Sequence, residues 1–465
     1  TLPPLQPHLA LRRAPAALGD PEPAPAAYPP PLNFVVTRVD AQSMSAGERV
    51  RKLPILLSVA GMYSISALEP EDLDLRESIA RLLTRIGRHA ESADVLRQLL
   101  EVTPGDGGRL VALSTSLFAL GQYDKSLDAA KEALEASASD VEAIVRVGLA
   151  QEALENRREA IEAMERAKVL AGDREDVVEA LVRLYRDKGD LARKEEDHIA
   201  AASAYRGALA LAPEEGDLHL ALGQSYRSAG SIQEGLDALR TGTERCPESV
   251  PLWRALGSLR EAYDKGDEAL DAYGRALILD EGDYESLVGT ARILWSRGES
   301  AEAAESFEKA AGMRPDEAEP HEALSALRQE LGDQEGAVEA LKALGGVRPL
   351  STEEQETLGT LQGALGRYEE SVGALEQAVK DKPEDLPCVL ELVRAYEQLG
   401  RHGAIIAPLE RALEPSPDHA EGQLHLGRAY VEEGRDEDAA AALELSARLS
   451  PAAETWELLA GALER

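Results

Sequence analysis

Apolar side chains along this chain recur at helical spacing in short runs, and glycine and proline cut the runs at a fixed interval. In Leu218-His-Leu-Ala-Leu-Gly-Gln-Ser-Tyr226 the apolar residues fall at i, i+4 and i+8, which one face of an α-helix collects. Ala303, Phe307 and Ala310 fall at i, i+4 and i+7 in a second kind of segment. Pro213, Pro247, Pro315, Pro349, Pro383, Pro417 and Pro451 are separated by 34 residues or a multiple of 34. Gly230, Gly298, Gly332, Gly366, Gly400 and Gly434 keep the same interval, 17 residues after the proline position. Upstream, Pro70, Pro104, Gly87, Gly121 and Gly189 extend it, with one seven-residue jump between Gly189 and Pro213. Glycine ends the first helix because it accepts the left-handed conformation. Proline stops the second because it has no amide to donate. The unit is a helical hairpin that cannot bury its apolar faces alone, so neighbours must stack.

Counting by register gives eleven units: 73–106, 107–140, 141–174, 175–215, 216–249, 250–283, 284–317, 318–351, 352–385, 386–419 and 420–453. Glu155 and Asp264 replace the turn glycine, and Ala138, Gly172 and Glu281 replace the terminal proline. The seven extra residues fall in 175–215, where Gly189 keeps its phase, so the expectation is a second helix lengthened by two turns. Such a length change serves either as a projection for a partner or as a neutral variation.

Trp253, Leu256, Gly257, Ala269, Tyr273 and Ala276 form one series within a unit; Leu392, Tyr396, Gly400, Leu409, Ala412 and Pro417 form another, and Leu426, Gly427, Tyr430, Gly434, Ala439 and Pro451 a third. This pattern resembles the tetratricopeptide repeat family over about five-sixths of the chain. The resemblance implies an all-α, right-handed superhelical solenoid whose first helices line a concave groove that binds proteins.

Outside the register, residues 1–32 hold ten of the 25 prolines and little that could form a core. Segment 1–44 reads as an extended or disordered tail, with one strand-like run at 33–39. Residues 45–72 read as a degenerate opening hairpin, and 454–465 as a capping helix with Trp456 and Leu459 covering the last hairpin. The chain opens at Thr1 without Met, as expected of a processed chain or a fragment.

Composition changes the picture in two ways. Aromatics are only 4% against 44% hydrophobic residues, so small and aliphatic side chains must do most of the packing. The 85 acidic residues outnumber 50 basic ones for a net charge of −35, and residues 1–55 carry six basic and four acidic side chains, leaving −37 for the rest. A field of that sign repels phosphate backbones and anionic lipid, which argues against nucleic acid as a partner. No run of 18 apolar residues is present to span a membrane. Arginine outnumbers lysine, a hint of a bacterial source, and the compartment stays open between cytoplasm and envelope.

Chemistry is sparse. Cys246 and Cys388 are far apart and lack the spacing of a metal site or disulfide framework, and no phosphate loop, HExxH, G-x-S-x-G or dinucleotide fingerprint occurs. No cofactor, metal or catalytic residue is expected. The family resemblance places Arg81, Arg183, Arg292, Arg394 and Arg428 at position 9 of their units, on the groove. Arg186, Arg227 and Trp295 stand at position 12 and Arg254 at position 5. The lysine and asparagine of the family's carboxylate clamp are absent. Arg183, Arg186, Arg227, Arg254, Arg292 and Trp295 are therefore the candidate partner-binding residues, suited to a protein or peptide with acidic segments. The competing reading pairs these arginines with Asp176, Asp217, Glu179 and Glu285. The expected role is a non-catalytic scaffold or adaptor within a hetero-complex. The alternatives are the recognition arm of a larger enzyme and a self-assembling structural protein.

Overall fold

The computed structural model describes residues 72–465, and every regular element there is an α-helix. The tail expected over 1–44 and the hairpin expected over 45–72 lie outside the described residues, Asp72 apart. The chain divides into two units, one through Gly172 and one from Asp173. The first holds three described hairpins: α1 (Leu73–Arg85) with α2 (His89–Val102), α3 (Gly107–Ala119) with α4 (Tyr123–Ala136), and α5 (Val141–Ala153) with α6 (Arg157–Ala171). The second begins with α7 (Glu175–Lys194) and α8 (His198–Leu209), α9 (Gly216–Ser228) and α10 (Ile232–Arg245), α11 (Val250–Glu261) and α12 (Gly266–Leu279), and α13 (Tyr284–Ser296) and α14 (Ser300–Met313). It continues through α15 (Ala318–Glu330) and α16 (Gln334–Val347), α17 (Thr352–Ala364) and α18 (Tyr368–Asp381), α19 (Leu386–Gln398) and α20 (Gly403–Leu413), and α21 (Ala420–Glu432) and α22 (Asp436–Leu449). It closes on α23 (Ala453–Glu464).

The last residue of a repeat starts the next one. Asp72, Asp106, Asp140, Asp283 and Asp385 cap the first helices that follow them, each carboxylate accepting an amide of the opening turn. Ser351 and His419 hold the same place and do the same. This satisfies donors that a helix start leaves orphaned. First helices end where expected, with Gly230 at φ +76°: its amide bonds the Arg227 carbonyl and that of Ser231 bonds the Tyr226 carbonyl. Glu155 and Asp264 adopt the same positive φ, at 63° and 57°, so the turn survives the loss of glycine. Side chains also tie a repeat's proline to the next helix. His219, Trp253, His321 and Gln423 bond the carbonyls of Pro213, Pro247, Pro315 and Pro417, six residues back in each case.

Within a hairpin the helices approach closely because a glycine faces a large side chain sixteen positions later. A Cβ on Gly223, Gly257 or Gly427 would lie 2.5–2.6 Å from Leu239, Tyr273 or Leu443, closer than such contacts allow. Where serine replaces the small residue of the second helix, its hydroxyl bonds the facing carbonyl: Ser92 to Ala80, Ser126 to Ser114 and Ser371 to Gly359.

The long repeat departs from expectation. Gly189 does not make the turn; it lies inside α7, which runs 20 residues, and its missing Cβ leaves room for the Tyr205 ring 2.6 Å from where that atom would be. The turn moves to Glu196, at φ +62°, and α8 keeps an ordinary 12 residues. Glycine and tyrosine are again sixteen apart, so the extra residues form the opening turns of the first helix. At the other end Leu459 is buried as expected, with Thr455 and Ala462, whereas Trp456 stays half exposed.

One cap carries a pH dependence. Glu354 takes both terminal nitrogens of Arg348, at 2.9 and 2.7 Å, and the amide of Ser351 at 2.7 Å. The Arg348 bonds, then that amide, hold its carboxyl down to about 2, against burial, which works the other way. A depressed folded-state pKa stabilises the fold above the unfolded value and is lost on acidification. Glu354→Gln is expected to cost about 1 kcal/mol at neutral pH after solvent screening. Urea titrations should show that gap closing as pH falls from the unfolded value of 4.5 towards 2.

Candidate functional site

First helices of successive repeats touch in the second unit: α9 with α11, α11 with α13, α17 with α19, α19 with α21, and α21 with α23. All six candidate residues stand on first helices of this unit. The moved turn changes the register of Arg183 and Arg186: Arg186 becomes equivalent to Arg254, and Arg193, outside the six, takes the place equivalent to Arg227.

Most of these guanidiniums already have carboxylates from a neighbouring repeat. Arg186 bonds Glu215 at 2.9 Å. Arg254 bonds the buried Asp283 at 2.8 Å and Glu285 at 3.0 Å, and Glu285 also takes Arg314 at 3.0 Å. Arg292 bridges two repeats, holding Glu261 through Nε at 2.9 Å and Glu319 through Nη1 at 2.9 Å. These bonds, Glu261 foremost, raise its pKa further above the ordinary arginine value. Arg394 and Arg428 reach Glu421 and Glu454 in the same manner. Arg183 is exposed on α7. Arg227 is exposed near the end of α9, and its guanidinium makes no hydrogen bond or ion pair among the described residues. Of the competing carboxylates, Glu285 pairs with a candidate arginine, whereas Asp176 pairs with Arg174.

Trp295 is half buried. Its ring meets Phe307 edge-on, with centroids 6.5 Å apart, and its indole nitrogen donates to Glu330 at 3.2 Å. Close by, Tyr273 is wholly buried and donates to Glu261 at 2.6 Å, so a relay of bonds runs Tyr273–Glu261–Arg292–Glu319. Burial, then the Glu261 carboxylate, pushes that phenol above its usual range.

Two cavities open beside these side chains. One of 290 Å³ is lined by Arg186, Asp190, Arg193, Tyr205, Asp217 and Gln224. There Asp190 accepts from the Tyr205 hydroxyl at 2.6 Å and from Arg193 at 3.3 Å. The other, of 460 Å³, includes Arg292, Arg297, Asp264 and Asp267 in its wall. Neither Arg193 nor the partner Glu215 was marked by the repeat count. The Gly189 to Tyr205 spacing, matching Gly257 to Tyr273, is the signal that finds the corrected register.

Tandem hairpins of this period, with paired first helices presenting polar side chains, define a helical-repeat interaction protein. The chain is a tetratricopeptide-repeat protein: the tetratricopeptide repeat model matches residues 186–250, 254–318, 357–419 and 390–454. Among curated proteins it is similar to cellulose synthase operon protein C of Pseudomonas fluorescens (strain SBW25), 30% identical over 131 residues. That match takes in 28% of this chain, and the chain spans only 10% of the relative's length. Similar solved structures include MamA, 24% identical over 36% of this chain and 91% of that one, with a TM-score of 0.34. A tetratricopeptide repeat protein from Parabacteroides merdae is 18% identical, covering 53% of this chain and 98% of its own, with a TM-score of 0.32. The Naa15/Naa10 structure bound to HypK-THB is 16% identical, covering 84% and 65%, with a TM-score of 0.42.

Proposed function

We propose that this protein is a non-catalytic scaffold that holds an extended, acidic segment of a partner protein along the first helices of its second unit, as a subunit of a hetero-complex. Arg227 carries the reading: an exposed, unpaired guanidinium in a chain of net charge −35, one repeat from Arg186 on one side and one from Arg254 on the other. A carboxylate arriving there meets a cation that has no internal competitor, and arginine binds carboxylates with two parallel bonds. Arg186 and Arg254 extend the track by exchange. Arg254 exchanges only Glu285 for the ligand while it still holds the buried Asp283, Glu285 keeps Arg314, and the Arg186–Glu215 pair is open to water on both sides. Arg183 and Arg292 border the same track, and Trp295 offers an apolar ring at one end.

Native extract passed over the protein should identify a partner, whose affinity is then measured with Arg227→Glu combined with Arg186→Gln. The expected result is at least a tenfold loss, with affinity falling as salt rises because such pairs are screened. Undiminished affinity in that variant would overturn the reading, leaving Arg186 its internal ion pair and Arg227 no role in binding.

A further inference from the structure

The second helices hold a different kind of cavity. Between α18 and α20 lies a cleft of 360 Å³ whose apolar surface comes from Val379, Leu392, Ala407 and Pro408. Lys380 and Arg411 stand in the same wall, both exposed, and neither makes an ion pair among the described residues. Glu376, the one carboxylate in the lining, is engaged by the Tyr396 hydroxyl. Arg401 adds a third positive charge near that phenol. Most basic groups among the described residues are matched to internal carboxylates, and here two unmatched ones face a single apolar cleft.

The backbone is also unusual here. Pro408 lies inside α20, which runs 11 residues and is the shortest described helix. A proline in a helix interior is costly because it withholds the amide that the carbonyl four residues back, of Ala404, would accept. Its ring gives the cleft a rigid apolar lip that carries no backbone donor.

We propose that this cleft is a second partner-binding site, and that its occupant is a peptide segment placing an acidic side chain beside a bulky apolar one. The volume is at the small end for ligand pockets, which run about 300–1,000 Å³, and suits one or two side chains. The apolar group packs on Leu392, Ala407 and Pro408, and Arg411 and Lys380 take the carboxylate. Charge complementarity sets the choice of occupant: a basic peptide meets two cations, and a purely apolar one leaves them unmatched.

Calorimetric titration at low salt tests this with the hexapeptide Ser-Asp-Phe-Glu-Leu-Ser and its Asn/Gln counterpart. The acidic peptide is expected to bind saturably and the neutral one at least tenfold more weakly. Lys380→Glu with Arg411→Glu should weaken the acidic peptide by tenfold or more, and Ala407→Trp, which fills the cleft from its exposed lip, should do the same. Arg275→Glu, the same charge reversal at an exposed arginine of α12 outside both sites, should leave it within twofold. Circular dichroism of each variant separates lost binding from lost folding. No saturable binding to the unaltered protein, equal binding of the neutral peptide, or indifference to the charge reversal overturns the proposal. Loss with Arg275→Glu overturns it too, by showing a response to overall charge and not to the cleft.

Discussion

Tyr273→Ala is expected to destabilise the second unit by about 3–5 kcal/mol, the range for emptying a buried aromatic site. The ring is 1% exposed and is gripped by glycines of two successive repeats. A Cβ on Gly257 or on Gly289 would fall 2.6 or 2.5 Å from its atoms. The two glycines carry no side chain to fill the space, and the Glu261 carboxylate loses the phenol that bonds it. Tyr273→Phe removes only that bond and should cost about 1 kcal/mol. Urea unfolding followed by circular dichroism gives both values. Similar losses for the two variants would mean that the hydroxyl, and not the ring, holds these repeats together.

Arg254→Glu should be nearly as damaging, at roughly 2–4 kcal/mol, because it leaves a buried carboxylate facing another negative charge. The Asp283 side chain is 5% exposed, and its two oxygens serve Arg254 and the Ser286 amide. Arg227→Glu, by contrast, breaks no internal bond and should change stability by less than about 0.5 kcal/mol. Thermal melts of the two single variants make the comparison. Equal melting temperatures would show that Asp283 finds water or another donor once Arg254 is gone.

The 34-residue period made the hairpins and their turns legible, because glycine and proline act through the backbone and need no partner to be recognised. Even Glu155 and Asp264 could be placed, since the period fixes a turn whatever residue occupies it. Gly189 misled for the same reason: it kept the phase of a turn glycine while serving the Tyr205 ring, and only the sixteen-residue spacing tells the two uses apart. The aspartates that cap first helices recur at the same period, from Asp72 to Asp385, and were equally available to inspection. Which arginines are free was not. Arg254 and Arg227 look alike along the chain, and their difference lies in carboxylates that belong to a neighbouring helix.

Asp283 ends one repeat by count and begins the next helix by chemistry, and the same holds for every capping residue at that place. The period therefore has no privileged starting point. Cutting 34 residues out of the run from 216 to 453, at whatever phase, joins two positions that were already equivalent and hands each capping residue a new helix of the same kind. Lineages that gain or lose one whole unit need no repair at the junction, whereas a change of any other length must be absorbed as α7 absorbs its additional turns, by lengthening a helix. Growth of such a chain is quantised, and its length records how many whole steps have been kept.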